Sequence, residues 1–436
     1  MVERDVFKSL DLALRIGELL LSSGAGAADV TAAMLSVTRA CGLRGVIADV
    51  TFTQLVLHHQ VSVDEPAAVQ VRRVIHRDID YEDLTMVDHL VRDIVDGRID
   101  RDGGRAALAR IVSTGHRRPR WVVTLGWGVL GAGTSLLLGG GLVITLVAFA
   151  AAVMIDRIQR AMTVRRMPVF YQQVAGGLFA TLLAAGIAAT GLDVDSSLVV
   201  TASIVMLLAG IGFVGATQDA LSGFPLTAAA RSLEAVLATA GIIAGVSGGL
   251  NVAAALGLDL GRIDPGAYEA AAPAMLTAGG ALAAAAFAFS SYAPLRTLLP
   301  VALVGALASM IFTVAIELEV GAAWSTALAA VAVGVLSYSV AGTFRVPPLV
   351  VVMSGVVPLL PGLAIFRGLS ELALGGSGSL ELAGAAATAI ALASGAILGQ
   401  YLAQPLKREA RRLETRLAGP RLVGPLRART SRMKQG

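Results

Sequence analysis

Between Trp121 and Ile155 the chain runs for 35 residues without one charged side chain. An apolar, charge-free stretch of 18 or more residues reads as a membrane span. At 1.5 Å rise per residue this one is too long for a single crossing of a hydrocarbon core about 30 Å thick. Gly139-Gly140-Gly141 lies near its middle and supplies a turn, which gives two short spans. Eight more uncharged runs follow: Met167–Leu192, Ser196–Gln218, Ala235–Leu258, Ala270–Leu295, Thr297–Ile316, Val320–Phe344, Val346–Phe366 and Leu382–Leu406. The expectation is a polytopic α-helical membrane protein with about ten transmembrane helices.

Only 15% of the 436 residues are charged, against roughly 25% in soluble domains. The charge is concentrated at the front, where residues 1–120 hold 16 Lys/Arg and 17 Asp/Glu. That part reads as a soluble α+β domain. Leu10, Leu14, Ile16, Leu20 and Leu21 mark an amphipathic first helix. Asp11, Arg15 and Glu18 interrupt it, so it lacks the apolar core of a signal peptide. Val30, Met34, Val37 and Cys41 form a second apolar stripe, which places the single cysteine in the core. Alternation at Val46, Ala48, Val50 and Phe52, and again at Leu55, Leu57, Val61 and Val63, predicts strands, with a third from Val69 to Ile75. Leu84, Val87, Val91 and Ile94 define the apolar face of a later helix. The expected division is 1–120 as this domain, 121–258 and 259–406 as membrane halves, and 407–436 as a basic tail.

Several chemistries are disfavoured. None of the three lysines (Lys8, Lys407, Lys434) follows a glycine, so there is no phosphate-binding G-x-x-x-x-G-K-[ST] loop. Uphill transport would then draw on an ion gradient or on a partner. The five histidines, His58, His59, His76, His89 and His116, all precede the spans, and with Asp78, Asp80 and Asp88 they raise a membrane-anchored hydrolase as a rival reading. No metal-ligand spacing such as H-E-x-x-H is present, and His58 and His59 point to opposite faces of a strand. No cofactor is expected. The tail has ten basic residues and no aromatic one, which suits a lipid surface and not nucleic acid.

Loop charge orients the spans. With the N-terminal domain inside, the inner loops carry Arg157, Arg160, Arg165, Arg166, Arg231, Arg296 and Arg345. The outer loops hold only Arg262 and Arg367 among basic residues, and they are rich in Asp and Glu. Both termini are therefore expected in the cytoplasm, with the protein multi-pass in the cell membrane.

Displacing the chain against itself by 147 residues aligns Val205-Met206 with Val352-Met353, Gly215 with Gly362, and Ser232-Leu233-Glu234 with Ser379-Leu380-Glu381. Five spans per half would insert the second copy upside down, an arrangement found in secondary transporters with a midplane site at broken helices. Pro358 and Pro361-Gly362 break one matched span, and the glycine-rich segment ending in Thr217-Gln218-Asp219 is its mate. Proline removes a backbone donor and frees a carbonyl at membrane depth. The plain alternative is a packing kink between helices. The expected solute and ion pathway comprises Asp219, Glu234, Arg231, Gln218, Gly215, Pro358, Pro361, Gly362 and Arg367. Arg231 and Glu234 are three apart, so a helix would set them on one face.

These segments resemble the threonine/serine exporter family in its fused form, with both membrane halves on one chain. The similarity rests on Pro358-Leu359-Leu360-Pro361-Gly362-Leu363-Ala364-Ile365-Phe366-Arg367-Gly368 in the second half. In the first half the related stretch is Phe213-Val214-Gly215 to Gln218-Asp219, with Val-Gly for Pro-Gly and Gln for Arg. In the N-terminal domain Gly24-Ala25 and Leu90-Val91-Arg92-Asp93-Ile94-Val95-Asp96-Gly97 are family-like. The resemblance implies export of the small hydroxy amino acids threonine and serine, with protons as the coupling ion. It leaves a dicarboxylate exporter of the same architecture as the alternative, and a homo-oligomer stays open.

Overall fold

The computed structural model describes the chain except residues 1–2, 63, 76, 191–194, 205–206, 208–209, 259–271, 374–375 and 418–436, and side chains only to Ala403 in the last helix. The segment before the spans begins with α1 (Glu3–Ser22) and α2 (Ala27–Ala40). Three antiparallel strands follow in the order β1-β2-β3: β1 (Ile47–Val50), β2 (Gln54–His59) and β3 (Ala68–Arg73). Two helices complete it, α3 (Tyr81–Val95) and α4 (Arg101–Thr114). Leu10, Leu12, Ile16, Leu21 and Met34 are fully buried with Leu55 and Leu57, so the helical and strand stripes meet in one core. Cys41 lies at that core's margin, half-buried at the C-cap of α2.

Strand β3 turns its valines outward: Val69 and Val71 are 50% and 55% exposed. The opposite face carries the charge that meets α1. Arg72, on the opposite face, is drawn to Glu18 and lies 3.7 Å from Asp11, both on α1. Asp80 starts α3 by accepting hydrogen bonds from the backbone N–H groups of Glu82 and Asp83, satisfying two of the donors a helix N-terminus leaves open.

Twelve helices follow: α5 (Arg120–Leu137), α6 (Leu142–Val164), α7 (Val169–Ala188), α8 (Ser196–Ile204), α9 (Gly210–Leu221), α10 (Pro225–Ala255), α11 (Pro273–Ser290), α12 (Leu298–Glu317), α13 (Ala322–Phe344), α14 (Pro348–Gly355), α15 (Gly362–Ala373) and α16 (Ser379–Leu417). Seven helical stretches (α6, α7, α10, α11, α12 with its leading turn, α13 and α16) are long and apolar enough to cross a membrane. The bent pair α14 and α15 makes an eighth. This falls short of ten for two local reasons. Helix α5 carries Gly126, Gly128, Gly131 and Gly133, which lower its hydropathy. Helices α8 and α9 are each too short alone, and most positions of their junction lie outside the described residues. Leu142, Leu299, Leu303, Trp324 and Leu328 stand exposed on the outside of the bundle, as lipid-facing side chains do.

Helix packing follows the same plan before and after residue 260. Helix α7 packs on α10 as α13 packs on α16, and α5 on α6 as α11 on α12. The close approaches match too. A Cβ at Gly245 of α10 would lie 2.2 Å from the Val174 carbonyl oxygen of α7, and one at Gly399 of α16 would lie 2.2 Å from that of Val331 in α13. Helices α5 and α11 join the two sets face to face.

Candidate functional site

The second set is interrupted in mid-bundle. Helix α14 stops at Gly355, a 3-10 turn spans Val357–Leu359, and α15 starts at Gly362, with a bend of 41°. Pro358 and Pro361 have no N–H to continue the helix. The Pro361 carbonyl instead accepts from Ile365 N–H at 3.0 Å, which makes Pro361 the N-cap of α15. Opposite stands the start of α9. A Cβ on Gly210 would lie 3.0 Å from Leu360 Cβ and 3.3 Å from Gly362 N, so the two interrupted regions touch there. A cavity of about 400 Å³ opens beside this contact, lined by Trp127, Phe287, Phe312, Ser309, Thr134, Thr313, Pro358, Gly362 and neighbouring aliphatic residues. No charged side chain occurs among its described lining residues.

The other end of α9 meets the N-terminal segment. Asp219, 1% exposed, accepts a hydrogen bond from Ala27 N–H of α2 at 2.9 Å through Oδ1. Its Oδ2 lies 3.0 Å from Nη1 of Arg231, and Arg231 donates from Nη2 to the Ala25 carbonyl at 3.2 Å. One carboxylate thus neutralises both a helix N-terminus and a nearly buried guanidinium. Glu234 pairs with Arg77 at 3.8 Å, and Arg77 stacks on Phe52 at 3.4 Å from the ring centroid. Arg231 and Glu234 therefore serve separate partners.

Residues 77–81 add to the contact between the two parts. Tyr81, 1% exposed, donates its N–H to the Ser291 carbonyl at 2.8 Å and packs edge-on against Phe287. Arg118 donates to the Ala293 carbonyl at 2.7 Å and to that of Phe289, while His116 stacks on Tyr292 and lies 3.1 Å from Asp80. Ile79 lines the cavity at the break and also a second one of about 260 Å³ that holds Arg77, Arg231, Glu234 and Gly215. Ile211 lines both as well, so the two isoleucines stand where the cavities adjoin. A third cavity, of about 550 Å³, gathers Asp29, Asp88 and Asp219 with Gln218, Tyr338 and Gln400. Burial pushes the Asp29 carboxyl up, and the charges of Asp219 and Asp88 add to it. Asp88 is raised chiefly by burial.

The expected pathway residues are thus dispersed. Pro358 and Gly362 line the cavity at the break and Pro361 caps the helix beside it. Gly215 is not at a break but inside α9, where a Cβ would come 2.9 Å from Arg231 Nη1. Gln218 and Asp219 border the acidic cavity. Arg367 lies farther along α15, outside the cavity's lining, with its Nε buried and unpartnered among the described residues. Val205 and Met206, two of the six identities in the repeat match, lie outside the described residues. Missed from sequence were Ile79, Ser309, Asp29 and Asp156. Asp156 is 5% exposed, holds Arg120 and accepts from Thr124 at 2.7 Å. Its signal was the lone acid amid the apolar run of α6. The histidines are spread: His59 is buried on β2, His89 meets the Arg345 carbonyl at 3.0 Å, and His76 lies outside the described residues.

A chain with these apolar helices and a cavity at an interrupted span is a multi-pass membrane protein. Residues 11–253 match the family model described as "Putative threonine/serine exporter", and residues 277–402 match the one described as "Threonine/Serine exporter, ThrE". The chain belongs to the threonine/serine exporter family. It is 34% identical to a "Probable threonine/serine exporter" of Mycobacterium tuberculosis, over 95% of this chain and 80% of that protein. It is 34% identical to a "Threonine/serine exporter" of Corynebacterium glutamicum, over 92% of this chain and 84% of that protein. No solved structure matches it.

Proposed function

We propose that this protein exports threonine and serine across the cell membrane as a secondary transporter driven by the proton-motive force. One observation carries the reading: the interrupted span at Pro358–Gly362 and the start of α9 meet around a cavity of about 400 Å³, within the range of small-ligand sites. Ten crossings in two inverted five-helix halves follow if α5 and the α8–α9 pair each cross, and the matched helix packing supports this. The N-terminal segment is then a cytoplasmic α+β domain that closes the inner mouth, with Ile79 between the chamber and the vestibule holding Arg77, Arg231 and Glu234. The carboxyls of Asp29, Asp88 and Asp219, which share one cavity, are the candidates for proton exchange.

The test uses proteoliposomes loaded with threonine, serine or succinate, with efflux measured under an imposed proton gradient. Threonine and serine should leave faster with the gradient than without it. Efflux of succinate alone would sink this reading, and efflux indifferent to the gradient would remove the proton coupling. Reporter fusions after Arg296 and in the tail should both read cytoplasm, and an external tail would remove one crossing.

A further inference from the structure

The cavity of about 260 Å³ between residues 77–81 and helices α9 and α10 is lined by charges of both signs, Arg77, Arg231 and Glu234. Its neighbours differ. The cavity at the break has no charged side chain among its described lining residues, and the acidic one has no basic side chain among its own. The two signs here are not closed on each other. Arg77 Nη2 stands 3.8 Å from Glu234 Oε1, beyond hydrogen-bond reach. Arg77 is held where it is, because Nη1 donates to the Phe52 carbonyl at 2.5 Å and the guanidinium lies on the Phe52 ring. Glu234 is the mobile partner, with its side chain 49% exposed. Arg231 is fixed by Asp219 and the Ala25 carbonyl, and α9 makes room for it with Gly215, where a Cβ would come 2.9 Å from Nη1. Burial pulls the Arg77 guanidinium down; Glu234 opposes this and the Arg231 charge adds to it. The two cations therefore feel each other, and an anionic group beside them would relieve both.

We infer that this cavity binds one short 2-amino acid as its zwitterion, the carboxylate on Arg77 with the charge of Arg231 behind it, and the ammonium on Glu234. The inference rests on the proposed export function and assigns the groups that first recognise the solute. A zwitterion carries its two charges on adjacent atoms of one small skeleton. It can enter between Arg77 and Glu234 once the exposed carboxylate swings outward, and it replaces one loose ion pair with two close ones. Charge-assisted hydrogen bonds are the stronger kind, and each ligand charge would otherwise be desolvated without a partner. A dicarboxylate has no cation for Glu234 and would set a second anion against it. The volume lies under the roughly 300 Å³ at which ordinary ligand pockets begin, which suits a molecule of few heavy atoms. Ile79 and Ile211 line this cavity and the uncharged one at the break, so the site adjoins the proposed pathway.

The test is equilibrium dialysis of the full-length protein in detergent against three ligands. They are threonine, threonine amide, which lacks the carboxylate, and 3-hydroxybutyrate, which lacks the ammonium. The wild type should bind threonine at least about tenfold more tightly than either analogue, the worth of one charge-assisted hydrogen bond. Arg77→Gln should bring threonine down to the level of its amide and leave its advantage over 3-hydroxybutyrate. Glu234→Gln should do the reverse, closing the gap to 3-hydroxybutyrate and keeping the gap to the amide. Arg77→Lys retains the charge and should keep part of the preference over the amide, a rescue that a purely structural role would not show. If either glutamine variant weakens threonine and both analogues equally, the pair only fastens the N-terminal segment to α10 and the inference fails. Unchanged threonine binding in both variants overturns it too, because the solute then sits elsewhere. Binding is measured apart from efflux, so the two readings fail separately. A protein that binds as described and exports nothing would refute the transport reading, and export at the wild-type KM by Arg77→Gln would refute the site alone.

Discussion

Replacing Asp219 by asparagine keeps the shape of the side chain and removes its charge. The amide oxygen can still accept from Ala27 N–H, now 2.9 Å away, but Arg231 loses its partner at 3.0 Å. Arg231 is 12% exposed on its side chain, so water does not replace the carboxylate. Removing one member of a buried pair costs about 3–5 kcal/mol, mostly the cost of the stranded charge. Part of that falls on the α9–α10 pair itself and part on the contact with α2, because both Asp219 and Arg231 bind the 25–27 turn. Each 1.4 kcal/mol that falls on that contact shifts the docked population about tenfold. Hydrogen exchange at the start of α2 should therefore speed up in Asp219→Asn, and gradient-driven threonine efflux should fall while the protein inserts normally. The double variant Asp219→Asn with Arg231→Met removes the stranded charge and should recover much of the protection. If the single variant exchanges like wild type and exports at the normal rate and pH dependence, Asp219 neither docks the segment nor serves the pathway.

Ile79→Ala should join the two cavities it now divides and give gradient-independent leak of threonine from liposomes; unchanged leak would place the inner closure elsewhere. Burial pushes the Asp80 carboxyl up to about 6, against opposing backbone hydrogen bonds and His116. Such an acid contributes stability that is present below its ordinary value and lost as pH rises through about 6, so Asp80→Asn, which still caps α3, should raise the melting temperature most at pH 7.5 and change little below about pH 4. A lower melting temperature at pH 7.5 would show that the contact with His116 outweighs burial. Gly245→Ala drives a methyl group into the Val174 carbonyl of α7 and should destabilise the bundle by about 1–3 kcal/mol, read as a lower midpoint in thermal unfolding.

Much of the fold was legible because lipid and water impose opposite patterns. The uncharged runs became helices wherever they are described, and the stripes through Leu10, Met34 and Leu84 became the core of the N-terminal segment. The number of spans is less legible than their presence. Helix α5 is glycine-rich where it approaches α11, and a Cβ on Gly133 would sit 2.8 Å from Ala283 N. Close packing and high hydropathy compete for the same positions, so a helix built for contact carries a weaker span signal. Strand β3 shows the same limit on a smaller scale, since its valines face outward while Arg72 on the other face meets Glu18.

For the site, proline was readable and charge was not. A proline alters its own backbone, so Pro358 and Pro361 announced the break whatever surrounded them. A carboxylate's role depends on what lies across from it. Arg231 three positions before Glu234 predicted a pair on one helix face, yet Asp219, twelve positions back, takes Arg231, and Arg77 takes Glu234. Both outcomes depend on the N-terminal segment, because Ala25, Ala27 and Arg77 supply the competing partners. The acids expected to line a path between the membrane halves, Asp219 and Glu234, also contact the N-terminal segment. Reading residues 1–120 apart from the membrane helices would therefore lose the contacts that join the two, the 25–27 turn at Asp219 and Arg231 and the Arg77 pair with Glu234.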